Sequence, residues 1–216
     1  MLALTDININ YEGRTILDHA CLSVARGEIV SLVGPSGSGK TSLLRVIAGL
    51  EQPSHGTVVI DNKLMTGIPT HKRDVGLVFQ DNQLFPHLSV FDNVAYSLRI
   101  KRVSKAQQIE KVNEMLRLVG MQDLAHRDVG HLSGGEAKRI AVARALVADP
   151  FILLLDEPLT GLDTELHDRL LEDMGVLLRA RGTTVVHVPH DHNEATRLSN
   201  RIVDVRTLGQ PRSQLQ

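Results

Sequence analysis

The sequence predicts an α/β fold with a parallel or mixed central sheet, and three stretches support this prediction. Residues 34–41 match the phosphate-binding pattern G-x-x-x-x-G-K-[ST] without a mismatch. The apolar run from Glu28 to Val33 indicates a buried strand before this loop, and residues 42–50 carry apolar side chains at helical spacing after it. The continuous apolar run from Phe151 to Leu155 is typical of a strand buried on both faces of a parallel sheet.

Shorter strands are predicted in the N-terminal part of the chain. Residues 2–10, 20–25 and 57–61 alternate apolar with polar side chains, and turn residues bound them. This alternation favours an antiparallel, partly exposed sheet. Tyr11 follows the first of these strands in a polar turn. On the residues alone, ordinary surface packing is the favoured interpretation of Tyr11, and a ring offered to a ligand is the alternative.

The residue types at positions 34–41 have a chemical explanation. Gly34, Gly37 and Gly39 permit backbone conformations in which successive N–H groups turn inward around phosphate oxygens. Lys40 adds a mobile positive charge, and Thr41 adds a hydroxyl that can ligate Mg²⁺. Because a helix begins here, its unpaired N–H groups and positive dipole end face the same anion. The loop therefore predicts a nucleotide site.

The middle of the chain is predicted to be mainly helical. The run from Val75 to Phe79 indicates a buried strand that ends on Gln80, and ligand contacts concentrate at the carboxyl ends of strands in α/β sheets. No strong strand follows before residue 151. We therefore expect residues 81–148 to form a helical subdomain, inserted into a nucleotide-binding core made of residues 1–80 and 149–216.

Two adjacent glycines stand at a predicted helix start in Leu132-Ser133-Gly134-Gly135-Glu136. An N-capping Ser133 is one interpretation of this segment, but it does not account for both glycines. A helix start with a bared backbone is also an anion site. One phosphate-binding chain rarely needs two such sites in one pocket, so the segment poses a puzzle.

Two carboxylates follow the apolar strand. Asp156 is placed to hold the shell of a magnesium ion and Glu157 to polarise an attacking water, with structural capping as the alternative. Residues 164–180 then predict an amphipathic helix, and residues 183–188 predict the last strong strand. His187, His190 and His192 suggest a metal site, but no cysteine or carboxylate set completes it, so metal binding there is not favoured.

Composition narrows the possible functions. The 216 residues suit one compact domain, and a net charge of −1 gives no basic footprint for nucleic acid. We expect the pairs Lys72-Arg73 and Lys101-Arg102 to be solvated surface. Cys21 is expected to be a buried structural thiol in a reducing cytoplasm. No apolar run approaches the roughly 20 residues of a membrane span, and no signal peptide is expected.

Together these motifs resemble one family closely, the nucleotide-binding ATPase subunits of ABC transporters, over nearly the whole chain. The resemblance rests on motifs in the family's order and spacing: the loop at 34–41, Gln80, LSGGE at 132–136, ILLLDEP at 152–158, residues 160–163 and His190. It implies a P-loop NTPase core with an antiparallel β subdomain and an inserted helical subdomain. It also implies that ATP and Mg²⁺ are bound and that ATP is hydrolysed to ADP and phosphate.

The resemblance implies a role for each candidate residue. Tyr11 would stack on adenine, which replaces the surface interpretation. Glu157 would be the general base, His190 would contact the γ-phosphate, and Gln80 would sense Mg²⁺ and the attacking water. The Mg²⁺ ligands would be Thr41, Gln80 and Asp156. The phosphates would be bound by Gly34, Pro35, Ser36, Gly37, Ser38, Gly39, Lys40, Thr41 and Ser42.

The glycine-rich segment is implied to act on a second copy of the chain. Ser133, Gly134 and Gly135 would contact the ATP held by the other subunit of a head-to-tail dimer, and Asp163 would lie beside it in the interface. This arrangement answers the puzzle of two anion sites. Glu136 stands where the family most often has Gln, and Pro189 stands before the histidine where Thr is usual.

Residues 79–90 resemble the importer branch of the family, which handles inorganic ions, iron, polyamines, thiamine or similar small solutes, and this resemblance is less specific than that of the motifs above. The implied partners are transmembrane permease subunits, a solute-binding protein and a second copy of the chain, at the cytoplasmic face of the membrane as a peripheral subunit. No nucleic-acid partner and no C-terminal regulatory domain are expected. The alternative is a soluble ABC-type ATPase not coupled to transport.

Overall fold

Two β-sheets organise the computed structural model, which describes residues 1–11 and 13–209. The strands are β1 Leu2–Tyr11, β2 Arg14–Val24, β3 Ile29–Val33, β4 His55–Ile60, β5 Lys63–Leu64, β6 Val75–Val78, β7 Ile152–Asp156, β8 Val185–Val188 and β9 Arg201–Asp204. The N-terminal sheet is antiparallel in the order β2-β1-β4-β5, and the central sheet is parallel in the order β6-β7-β8-β3-β9. The predicted fold class is confirmed.

Six α-helices accompany these strands in the described part of the chain. They are α1 Lys40–Ala48, α2 Val90–Ile100, α3 Lys105–Leu118, α4 Gly134–Leu146, α5 Thr164–Ala180 and α6 His192–Leu198. Helices α2, α3 and α4 lie between β6 and β7 in the chain, and serine side chains cap the start of each. No helix within the described ranges, 1–11 and 13–209, has both the length and the apolar character needed to cross a bilayer.

The central sheet packs on each of its two faces against a different hydrophobic core. On β7, Ile152 and Leu154 pack with α1 and the N-terminal sheet, whereas Leu153 and Leu155 pack with residues of α2 to α5. All four side chains are fully buried. Each contributes about 1.5–3 kcal/mol relative to an exposed side chain. This double burial explains why the strand is continuously apolar, and it fixes where the carboxyl end of β7 emerges.

Cys21 is exposed, contrary to the sequence-based expectation of a buried thiol. On β2 the inward side chains are Ala20, Leu22 and Val24, and Cys21 shares the outward face with Ser23. The Cys21 sulfur accepts a hydrogen bond from the backbone N–H of Asp6 in β1, at 3.3 Å. The alternation in β2 is therefore real, but it places the thiol on the solvent side.

Arg73 is buried, which corrects the expectation that both basic pairs are solvated. Its side chain is 1% exposed, whereas Arg102 is exposed. The Arg73 guanidinium donates to the carbonyl oxygens of Val46 (2.8 Å), Ile47 (3.1 Å) and Ile68 (2.8 Å). Burial lowers the pKa of Arg73. The cation thus caps the carboxyl end of α1, where the unpaired carbonyl groups and the helix dipole favour positive charge.

We predict that Arg73→Met lowers the free energy of unfolding by about 2–4 kcal/mol, because three buried carbonyl groups lose a charged donor. Urea denaturation followed by circular dichroism measures the change. Arg102→Met is the matched control, and we expect it to stay within about 0.5 kcal/mol of the wild type because that residue is exposed. Equal effects of the two substitutions would contradict the capping role.

Candidate active site

A cavity of about 700 Å³ lies at the carboxyl edge of the central sheet. Five segments line it: the end of β1, the start of β2, the loop between β3 and α1 with the first turn of α1, the residue that follows β7, and the loop between β8 and α6. Its lining residues are Tyr11, Ile16, Val33, Gly34, Ser36, Gly37, Gly39, Lys40, Thr41, Ser42, Glu157, Pro189, His190, Asp191 and His192. Its volume falls within the range of small-molecule sites in proteins.

The loop at 34–41 forms the floor of this cavity in a shape suited to an anion. Gly34 has no room for a side chain, since a Cβ there would lie 2.8 Å from Ser38 Oγ. Among the described residues, buried Ser38 Oγ has no hydrogen-bond partner. The Lys40 ammonium donates to the carbonyl oxygens of Gly34 (2.8 Å) and Pro35 (2.9 Å), which holds the positive charge beside the loop. These features fit a bound phosphate group.

Thr41 and Asp156 form a pair of oxygen donors beside the loop. Thr41 Oγ1 donates to Asp156 Oδ1 at 3.0 Å. Burial, followed by the nearby charge of Glu157, raises the pKa of Asp156, and the Thr41 hydrogen bond opposes this shift. Within residues 1–11 and 13–209, no three His, Cys, Asp or Glu side chains are grouped to hold a metal. One hydroxyl and one carboxylate suit Mg²⁺, which usually takes few protein ligands together with phosphate oxygens and water.

Glu157 and His190 face each other across the cavity. Thr160 Oγ1 donates to Glu157 Oε2 at 3.2 Å, and His190 Nδ1 lies 4.0 Å from the same oxygen. The Glu157 N–H donates to the Val188 carbonyl oxygen at 2.9 Å, which ties the end of β7 to β8. Glu157 has a φ of 45°, a left-handed conformation that costs a residue with a Cβ about 1–2 kcal/mol. Such strain concentrates at functional sites.

Tyr11 lines the cavity, which agrees with the role that the resemblance implies, and stacking on adenine stays a prediction. Its side chain is 41% exposed, which leaves ring surface available to a ligand. The Tyr11 hydroxyl oxygen lies 3.5 Å from Ser42 Oγ. Burial, followed by a hydrogen bond to Glu51, raises the pKa of Tyr11. The ring is anchored at its hydroxyl end while the aromatic part faces the cavity with Ile16.

Several predicted site residues do not line this cavity. They are Pro35, Ser38, Gln80, Ser133, Gly134, Gly135, Asp156 and Asp163. Of these, Asp156 lies directly behind the cavity through its bond to Thr41. Gln80 follows β6 at the same edge of the sheet, and its carbonyl oxygen accepts from Lys138 Nζ at 3.4 Å. Its side chain is not brought together with Glu157 and His190 in this conformation.

The glycine-rich segment begins α4 through a capping box. The Ser133 N–H donates to Glu136 Oε2 at 2.7 Å, and the Glu136 N–H donates to Ser133 Oγ at 3.3 Å. The hydrogen bonds from Ser133 lower the pKa of Glu136. Gly135 packs so closely on α5 that a Cβ would lie 2.8 Å from a Leu166 methyl carbon. Packing thus explains one glycine of the pair, while Gly134 is exposed and faces away from this cavity's lining.

Five lining residues were not among the predicted site residues: Ile16, Val33, Pro189, Asp191 and His192. Val33 precedes the phosphate loop directly, and Pro189, Asp191 and His192 lie within two residues of His190, so adjacency alone was a usable signal for these four. Ile16 is different, because it reaches the cavity only through the pairing of β1 with β2. Asp191 accepts from the Glu194 N–H at 2.7 Å, which makes its side chain the cap of α6.

Comparison with known sequences places the chain among named relatives. A family model described as "ABC transporter" matches residues 17–160. The Fe(3+) ions import ATP-binding protein FbpC of Streptomyces coelicolor is 46% identical over 206 residues, which are 95% of this chain and 59% of that protein. The spermidine/putrescine import ATP-binding protein PotA of Bacteroides fragilis is 47% identical over 190 residues, which are 88% of this chain and 41% of that protein. The chain thus spans less than two thirds of the length of these relatives.

Solved structures with the same fold include two ATP-binding cassettes. The ATP-binding cassette MJ0796, in a dimeric post-hydrolysis state bound to ADP and Pi, superposes with a TM-score of 0.83 at 32% identity, and the match covers 94% of each chain. The structure of cbiO1 from Clostridium perfringens, part of the ABC transporter complex cbiONQ, gives a TM-score of 0.84 at 28% identity, covering 94% of this chain and 84% of that one. Sequence, fold and site geometry agree, and the chain belongs to the ABC transporter family.

Proposed function

We propose that this chain binds ATP and Mg²⁺ in the cavity and hydrolyses ATP to energise a membrane transporter. One observation carries the proposal: the phosphate loop, the Thr41–Asp156 pair and the Glu157–His190 pair converge on one edge of the central sheet. The match to FbpC, PotA and a cassette solved with ADP and Pi supports the same reaction.

Different residues of the chain have different roles in this reaction. Lys40 and the loop N–H groups hold the phosphates, while Tyr11 receives the adenine ring. Thr41, Asp156 and Gln80 would hold Mg²⁺, and the ion, when bound, would neutralise charge on the phosphoryl group. The Thr160 hydroxyl holds Glu157 Oε2, which leaves Oε1 to accept the proton of the attacking water. His190 contacts the γ-phosphate from the other side, so catalysis rests on positioning and charge.

The glycine-rich segment acts in a second copy of the chain. Ser133, Gly134 and Gly135 do not line the cavity of their own chain, and the start of α4 offers unpaired N–H groups to an anion. In a head-to-tail dimer these groups contact the partner's ATP, with Asp163 beside them at the start of α5. The dimeric state of the cassette MJ0796 supports this arrangement.

The transporter is proposed to import a small solute or ion of the iron, inorganic anion, polyamine or thiamine type. Its other parts are permease subunits and a solute-binding protein, and this chain lies at the cytoplasmic face of the membrane as a peripheral subunit. The names of FbpC and PotA support import. Affinity purification in mild detergent with mass spectrometry tests the assignment. A co-purifying polytopic membrane protein supports it, and exclusively soluble partners would favour an ATPase not coupled to transport.

We predict that Glu157→Gln lowers the ATP hydrolysis rate by about a hundredfold or more, because the amide cannot accept the proton of the attacking water. Binding of ATP should persist, since the shape of the side chain is kept. Phosphate release and equilibrium binding of a fluorescent ATP analogue measure the two quantities. Glu165→Gln on the exposed surface of α5 is the control. Equal rates for wild type and Glu157→Gln would remove Glu157 as the base.

We predict that Mg-ATP makes the Glu157→Gln variant dimerise and that an added Ser133→Arg substitution blocks this. An arginine there would crowd the site proposed to receive the partner's γ-phosphate. Ser104→Arg is the matched control, because Ser104 caps α3 in the same way and its loss costs a similar amount, about 1 kcal/mol. Size-exclusion chromatography with light scattering gives the mass. Dimers of both double variants would contradict the role of Ser133.

A further inference from the structure

A chain of hydrogen-bonded polar side chains runs through the interior behind the cavity. Ser31 on β3, His187 on β8 and Glu194 on α6 are each 0% exposed. Ser31 Oγ lies 3.0 Å from His187 Nδ1, and His187 Nε2 lies 3.0 Å from Glu194 Oε1. Neighbouring residues of β8 are apolar and buried, so this polar array is an exception within the sheet. Buried polar groups are costly unless they are fully paired.

The hydrogen bonds of Glu194 connect the array to the loop that carries His190. Glu194 Oε2 accepts from the His190 backbone N–H at 2.9 Å, and His167 Nε2 on α5 lies 3.7 Å from the same oxygen. Burial would raise the pKa of Glu194, but the hydrogen bonds from His187 and from the His190 N–H hold it below its usual range. Because the ionised carboxylate can only accept, His187 Nε2 donates to it, and in the neutral ring Nδ1 accepts the Ser31 hydroxyl.

The position of this contact matters because of Pro189. Proline has no backbone N–H, so His190 supplies the first N–H donor after β8, and Glu194 accepts the hydrogen bond from it. The His190 side chain itself is 58% exposed and has Glu157 Oε2 at 4.0 Å. Backbone anchoring by Glu194 therefore decides where an otherwise loosely held ring points.

We propose that Glu194, oriented by His187 and Ser31, is a positioning residue that fixes the backbone of His190 and so directs its side chain toward Glu157. The array also ties the loop to β3, the strand that leads into the phosphate loop. The effect on hydrolysis rests on the function proposed above, whereas the anchoring of the His190 backbone does not.

Two substitutions of His187 distinguish the loss of its hydrogen bond to Glu194 from the loss of the imidazole ring's volume. A Gln side chain extends its amide to the place of Nε2 and can still donate to Glu194, whereas an Asn side chain ends near Nδ1 and cannot reach Glu194. We expect His187→Asn to lower kcat for ATP by about tenfold or more with little change in KM, because Tyr11 and the phosphate loop still bind the nucleotide when His190 is misplaced. His187→Gln should retain most of the activity.

Hydrogen exchange of the His190 amide gives a readout that needs no hydrolysis. We expect His187→Asn to raise its exchange rate by about tenfold while His187→Gln keeps the amide protected. Thr184→Val is the control for loss of a buried polar contact next to the same strand. Thr184 Oγ1 accepts from the Gly27 N–H at 2.9 Å, at the opposite end of β8 from His190. This substitution should lower stability without altering kcat or His190 exchange.

The outcomes are distinguishable. Unchanged His190 exchange in His187→Asn, or the same losses in His187→Asn and Thr184→Val, would overturn the positioning role. Additive losses of kcat in the His187→Asn, His190→Ala double variant would also overturn it, because a residue acting through His190 adds nothing once that ring is removed. If the wild type hydrolyses no ATP while His190 exchange still responds to His187→Asn, the proposed function fails and the anchoring stands.

Discussion

The candidate site depends first on the parallel register of β7 with its neighbours. Val78 lies opposite Leu155, and Asp156 lies opposite Val188, so three strands deliver their carboxyl ends to one edge. A slip of one residue would turn every β7 side chain to the other face. Because the two faces of β7 belong to two different cores, such a slip would disrupt both. The packing that fixes the fold therefore also aligns the groups that follow these strands.

Unfavourable local features gather where the strands end. Glu157 has left-handed backbone geometry, Asp156 is a buried carboxylate with a raised pKa, and Ser38 Oγ is buried without a partner among the described residues. Each costs stability by itself. The two apolar cores and the polar array behind β8 hold these features in place, which is how strained sites persist in stable folds.

Local spacing made much of this molecule predictable from its sequence. The loop at 34–41, the buried strand near residue 151 and the helix at 164–180 all follow from patterns of neighbouring residues. Arg73 could not be placed this way, because its partners Val46 and Ile47 lie on an earlier helix. Cys21 is different, since its outward face, shared with Ser23, was already visible in the alternation of β2.

The roles given to individual site residues stay predictions. Contacts between segments that are distant in the chain were the part of the site that the sequence did not predict. The carboxylates after the apolar strand indicated Glu157 and the family resemblance indicated His190, and the structure places their side chains 4.0 Å apart. Gln80 does not line the same cavity, and its backbone carbonyl oxygen accepts from Lys138 on α4. The link from Ser31 through His187 to Glu194 joins three separate segments, and the local sequence of any one segment does not indicate it.

The exposed position of Cys21 has a practical consequence for following this protein at work. It is the chain's one thiol, and it lies on the outward face of β2, away from the lining of the cavity. A maleimide dye or a spin label would therefore attach at a single defined point without any engineered cysteine. In a symmetric pair of chains, the two labels would report the separation of the two N-terminal sheets directly, in solution and during turnover.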